Sequence, residues 1–203
     1  MNTKVKGKRI NIGGDHSMSI ATVAYSLNKV YDLKVLWFDA HADINTTYSS
    51  NTNNFHGMPL GFLTGLDYNK NISFIKNYLK FSNLLYIGIR ELDDFELNII
   101  DSCNIKYITC KEVNENPEIA LLKINQFIGN DSFHLSFDVD CMDPSIISST
   151  GTPVDNGLKL PQTKFIVDKL MEKNTLINMD LTELNLDIGN NKLSLTNTLK
   201  LIS

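Results

Sequence analysis

Short apolar runs alternate with helix-patterned segments along the chain, and that alternation constrains its fold more than any other feature. The runs are RINIGG (9–14), VLWFDAH (35–41), LLYIGIR (84–90), IKYITC (105–110), FHLSFDVD (133–140) and LINMDLTEL (176–184). Between them, helical patterning covers 17–29, 94–101, 117–128, 162–173 and 192–202, with apolar residues such as Ile119, Leu122, Ile124 and Phe127 at close helical spacing. That spacing gives a helix one side to bury. Pro117 and Pro161 fall where a first helical turn tolerates proline. Strands that alternate with helices predict a parallel sheet, because parallel neighbours need a crossover connection. The expectation is an α/β fold of three layers, α/β/α, in a single domain over 1–203. Ligands of such sheets bind in the crevice outside the carboxyl ends of the strands.

Those ends carry unusual chemistry. VLWF is followed by Asp39, His41 and Asp43 at alternate positions, HLSF by Asp138 and Asp140, and NIGG by Asp15 and His16. Alternate positions of a strand share a face, so Asp39, His41 and Asp43 point one way if the strand continues through them. Five acidic groups gathered at one sheet edge, with no Lys or Arg beside them, repel strongly in a low-dielectric crevice. Two divalent cations remove that repulsion. Oxygen-rich ligation with one histidine per ion suits Mn²⁺ better than Zn²⁺, and ions about 3.5–4 Å apart need bridging carboxylates. His134, in mid-strand, reads as a hydrogen-bonded core histidine, and Asp180 as structural. The polar segment 44–57, INTTYSSNTNNFHG, is too polar to pack and too long for a neutral connection, so it reads as functional.

Composition excludes several classes. The net charge of −4 leaves no basic excess for nucleic acid. No run approaches the roughly 18 apolar residues of a membrane span. Three cysteines, Cys103, Cys110 and Cys141, make neither a disulfide framework nor a zinc motif. The start, MNTKVKGKRINIGG, lacks the apolar core of a secretory leader, so a cytoplasmic location is expected.

The stretches GGDHS (13–17), DAHADIN (39–45), HGMP (56–59), SFDVDCMDP (136–144), TGTPV (150–154) and TELN (182–185) together resemble the ureohydrolase family, and within it the arginases. The resemblance runs from about residue 9 to the carboxyl end. It implies a dinuclear manganese site, with one ion held by His16, Asp39, Asp43 and Asp138 and the other by His41, Asp39, Asp138 and Asp140. It further implies hydrolysis of L-arginine to L-ornithine and urea. Asn45 and Thr52 would grip the substrate's α-carboxylate, Asp93 its α-amino group, and Thr152 and Glu183 its guanidinium. Asp43 would return a proton to the leaving amine, and His56 would shuttle protons to solvent. Agmatinase-type guanidine hydrolysis is the alternative within enzymes. The segment around Asn45 favours arginase, since agmatine has no α-carboxylate.

Two departures from the family pattern shape expectations further. The strand–helix–strand segment that precedes RINIGG in arginases is expected to be missing, which leaves 9–14 as a bare edge strand. Such an edge favours pairing with a partner or a second copy, and a non-catalytic paralogue acting through another subunit is the alternative outside enzymes. Cys141 stands where the family usually has glycine, and strain is expected there if its φ is positive.

Overall fold

The computed structural model describes residues 9–68 and 72–203. The octapeptide before Arg9, on which the expectation about a leader partly rests, lies outside the described residues. Six parallel strands form one sheet: β1 (Arg9–Ile12), β2 (Lys34–Phe38), β3 (Leu84–Ile87), β4 (Lys106–Ile108), β5 (Phe133–Asp138) and β6 (Leu176–Thr182). Their order is β1-β6-β5-β2-β3-β4, so β5 and β2, the strands leading to the two acidic pairs, are direct neighbours. Their register sets Phe38 beside Phe137, which brings the next residue of each strand, Asp39 and Asp138, to the same edge.

Side-chain alternation then divides the apolar residues between two faces. Val35 and Trp37 of β2 join Leu84 and Tyr86 in a core covered by α1 (Ser19–Lys29), α2 (Pro59–Leu63) and α3 (Asp94–Ser102). Leu36 and Phe38 join Leu135, Phe137 and Ile87 on the other side. That second core is closed by α4 (Cys110–Glu115), α5 (Pro117–Ile128), α6 (Leu160–Met171) and α7 (Asn191–Ile202). β5 is buried at all six positions, as expected of a strand covered on both sides. The sheet is the middle layer of α/β/α.

The strands stop sooner than the apolar runs suggest. β2 ends at Phe38 and β1 at Ile12; one further bond each, Asp39 N–H to Ile87 O and Gly13 N–H to Leu181 O, closes the pairing before the chain turns into the crevice. The run 105–110 closes early too. Thr109 caps α4, accepting from the Glu112 N–H while Glu112 accepts from the Thr109 N–H, a capping box that starts a helix where a strand was expected. α2 was also unforeseen. Its Gly61 packs so tightly on the Asn45 carbonyl that a Cβ there would lie 2.1 Å from that oxygen. The segment 44–57 is correspondingly more ordered than its polarity implies. Ile44 and Thr46 are buried, and the chain is stitched by Asn45 N–H to Gly57 O at 3.2 Å and Leu60 N–H to Asp43 O at 2.9 Å.

Candidate metal centre

His16 is the pivot of the site. It opens a short 3-10 turn, His16–Met18, that runs into α1, and its ring stacks on Trp37 at 4.2 Å between centroids. Its Nδ1 lies 3.0 Å from one oxygen each of Asp39, Asp43 and Asp138. Yet this buried nitrogen forms no hydrogen bond of acceptable geometry: it faces the middle of the carboxylate triangle. Its other ring nitrogen, Nε2, is 2.9 Å from Ser136 Oγ. One unpartnered imidazole nitrogen amid three carboxylate oxygens is a donor set suited to a divalent cation.

A second group adjoins the first. His41 Nδ1 lies 3.4 Å from Asp39 Oδ1 and 3.1 Å from Asp140 Oδ2. Asp39 belongs to both groups, with each oxygen turned to a different histidine, as a bridging carboxylate requires. Its remaining needs are met by Trp37 Nε1–H at 3.0 Å and the His41 N–H at 2.8 Å. Asp138 sits with the first group only; its Oδ1 accepts from the Asp140 N–H at 2.8 Å.

Strand alternation is not what gathers these side chains, since β2 has ended. Asp43 reaches the first group through a left-handed backbone, φ 52°. Asp15, expected in the cluster, turns away and caps Ser17 instead. Its place beside the ligands is taken by Glu183, which follows β6 with φ 63° and accepts from the His16 N–H at 2.6 Å. A nearby cation also exists, contrary to expectation. Arg90 reaches under the site, but donates to main-chain carbonyls: Asp155, Gly88, Cys141, Asp140 and Val154, at 2.7–3.3 Å. Its charge is thereby spent on holding loops together. Cys141 lies in a 3-10 turn, Val139–Cys141, and is absent from the positive-φ residues, so the expected strain does not arise.

Electrostatics mark the cluster as unsatisfied without cations. Burial and the neighbouring Asp39 push the Asp43 carboxyl up to about 8. Burial and the facing carboxylates likewise raise Asp138 and Asp140. Burial opposes a charge on His41, but the Asp140 and Asp39 carboxylates push it up to about 12. Protons are thus standing in for positive charge that the geometry calls for.

A cavity of about 160 Å³ opens above these groups, lined by His16, His41, Asp43, Asn45, His56, Glu96, Asp138, Asp140, Thr152 and Glu183 among others. Thr152 lines it while donating to Asp140 Oδ2 at 3.2 Å. Asn45 lines it with its amide held by Asp93 Oδ2 at 2.7 Å. Asp93 itself caps α3 in a capping box with Glu96 and does not line the cavity. Neither does Thr52, an exposed hydroxyl 3.4 Å from Ser50 Oγ. Glu96 was missed at the sequence level, although DDFE (93–96) spells the capping box that places it; burial pushes its carboxyl up to about 7. Trp37 and Ser136 were missed because an aromatic and a serine within apolar strands carry no such signal. His134 is the core histidine expected, 3.0 Å from Asp180 and 2.9 Å from Ser26.

A family profile described as "Arginase family" matches residues 3–202. The arginase of Neurospora crassa is 39% identical over 188 residues, covering 87% of this chain and 52% of that protein. The arginase of Saccharomyces cerevisiae is 36% identical, covering 94% and 60%. Among solved structures, Entamoeba histolytica arginase in complex with L-ornithine superposes with a TM-score of 0.89 at 33% identity, covering 97% of this chain and 68% of that one. Bacillus cereus arginase gives 0.87 at 28% identity, covering 96% and 69%. The chain spans about half to two thirds of these relatives' own length.

Proposed function

The chain belongs to the arginase family, and from that membership we propose that it hydrolyses L-arginine to L-ornithine and urea with two Mn²⁺ ions. The observation that carries the reading is the bare Nδ1 of His16 facing three carboxylates. His16, Asp39, Asp43 and Asp138 would hold one ion, and His41, Asp39 and Asp140 the other; Asp138, expected to bridge, is grouped with the first ion only. Bound there, such ions supply Lewis acidity and bring the pKa of water down toward neutrality.

The protein's own groups do the remaining work. Glu183 already takes the His16 N–H on Oε1, so Oε2 is available to pair with a planar guanidinium and fix its carbon over the ligands. Thr152, anchored on Asp140, borders the same place. Asp43, on the cavity wall, returns a proton to the departing δ-nitrogen, and His56 at the cavity margin passes protons to and from solvent. Asn45 addresses the α-carboxylate with its amide held by Asp93, whereas Thr52 and Asp93, expected at the α-carboxylate and the α-amino group, do not line the cavity themselves. The reading predicts Mn²⁺-dependent urea release from L-arginine in preference to agmatine by the purified chain. Asp140→Asn should lower both metal content and rate. A preparation carrying two Mn²⁺ per chain that releases no urea from either substrate would overturn it.

A further inference from the structure

Behind the candidate metal centre runs a closed series of polar side chains that no part of the proposed chemistry uses. It links His16 to Ser136 (2.9 Å), Ser136 to Ser19 (3.2 Å) and Ser19 to Asp180 (2.9 Å). Ser19, Ser136 and Asp180 are completely buried and His16 is 1% exposed, so bulk water does not compete for these bonds. β6 supplies Asp180, β5 supplies Ser136, and α1 supplies Ser19.

Counting protons gives this series a direction. Asp180 is surrounded by donors: Asn11 Nδ2 at 2.7 Å on one oxygen, and Ser19, Thr22 and His134 Nε2 on the other. Burial raises its carboxyl, but His134 and the other donors bring it down to about 2, so it is a carboxylate and accepts only. Ser19 has a single hydroxyl proton, and Asp180 takes it. Toward Ser136, Ser19 must therefore accept. Ser136 in turn spends its one proton on Ser19, and toward His16 it must accept. His16 Nε2 is left as the donor. With a cation bound, the imidazole is neutral and carries one N–H, on Nε2, so its lone pair is on Nδ1, the atom turned toward Asp39, Asp43 and Asp138.

We infer that Asp180 is a positioning residue: acting through Ser19 and Ser136, it fixes the proton of His16 on Nε2 and so keeps Nδ1 free to ligate a divalent cation. The inference rests on the metal reading of the site. Partners of this kind, one or more bonds removed from a ligand, set the tautomer and basicity of the imidazole.

Asp180→Asn loosens the series. A neutral carboxamide oxygen accepts less strongly than a carboxylate from Ser19, Thr22 and His134 Nε2, so Ser19 is no longer held as a donor and the Nε2–H of His16 loses its fixed acceptor. Mn²⁺ titration of the purified chain should show two ions bound by the unsubstituted protein. In Asp180→Asn the ion at His16 should bind about 10-fold more weakly, with the ion at His41 little changed. In the Zn²⁺-loaded protein, the Nε2–H proton resonance of His16 should be downfield and protected, and should move upfield in the variant. Should Asp180→Asn fail to fold, Ser19→Ala interrupts the same series and should also weaken the first ion selectively. Unchanged affinity for both ions in a folded variant, with the unsubstituted chain binding two, overturns the relay alone. No ion bound by the unsubstituted chain overturns the metal reading and the relay with it.

Discussion

Two of the site's carboxylates sit on backbone that L-residues avoid. Asp43 has φ 52° and Glu183 φ 63°, and a non-glycine residue held this way costs about 1–3 kcal/mol. The cost is tolerated because each turn delivers a carboxylate that a strand could not aim there. This also explains what the sequence disclosed. The residues that gather at the crevice were legible because acidic residues directly after apolar runs have nowhere to go but the strand ends. Their supports were not: Trp37 and Ser136 look like strand residues, and Asp15, read as part of the acidic cluster, instead caps the turn that begins at His16. Trp37→Phe removes the N–H that Asp39 Oδ2 accepts. We expect a loss of about 1–3 kcal/mol in denaturant unfolding of the metal-free chain, and weaker binding of both ions, since Asp39 belongs to both groups. Asp180 gives a separate expectation in acid. Its folded value of about 2 lies below the ordinary 3.8, so its contribution is complete above about pH 4 and fades as the pH falls toward 2. The contribution is about 2 kcal/mol. Unfolding free energies of the unsubstituted chain and Asp180→Asn, compared between pH 5 and 2, should therefore converge.

Among the elements, both capping boxes were written in the chain, DDFE before α3 and TCKE before α4. Only an apolar run overlapping the second obscured it. α2 is different: five residues with two glycine-adjacent turns hold no periodic stripe, and it forms because Leu60, Phe62 and Leu63 bury against α1. Its link to the cavity is the close approach of Gly61 to the Asn45 carbonyl. Gly61→Ala cannot be accommodated without moving that backbone, and overpacking of this kind costs about 1–3 kcal/mol. Thermal unfolding should report the loss. If Asn45 addresses the substrate's carboxylate, KM for L-arginine should rise more than kcat falls. Replacing Asp93 by Ser retains a capping hydroxyl while removing the partner of the Asn45 amide, so stability should hold and KM should again rise.

For the molecule as a whole, the parallel sheet and its layering followed from the alternation of elements together with the family resemblance, and the structure adds the strand order β1-β6-β5-β2-β3-β4. What pattern could not convey was the crevice itself, because it is assembled from loops that leave different strands. Four buried carboxylates and two imidazoles crowd there, so folding without cations works against their repulsion. A ligand at 100 times its Kd stabilises by about 2.7 kcal/mol, which for a chain of this size raises Tm by about 5–10 °C. Differential scanning with and without Mn²⁺ should show that rise, and Asp140→Asn should lose much of it.

Arg90 grips carbonyl oxygens from Gly88, Asp140, Cys141, Val154 and Asp155, and a carbonyl is present whatever the side chain. Drift at positions 154 and 155 therefore leaves the clamp intact, whereas the clamp's own identity has no substitute: an ammonium group offers three donors from one point, too few and too narrowly placed for five acceptors. The rim of the crevice can change its outward character freely while a single guanidinium keeps Thr152 and Asp140 in register.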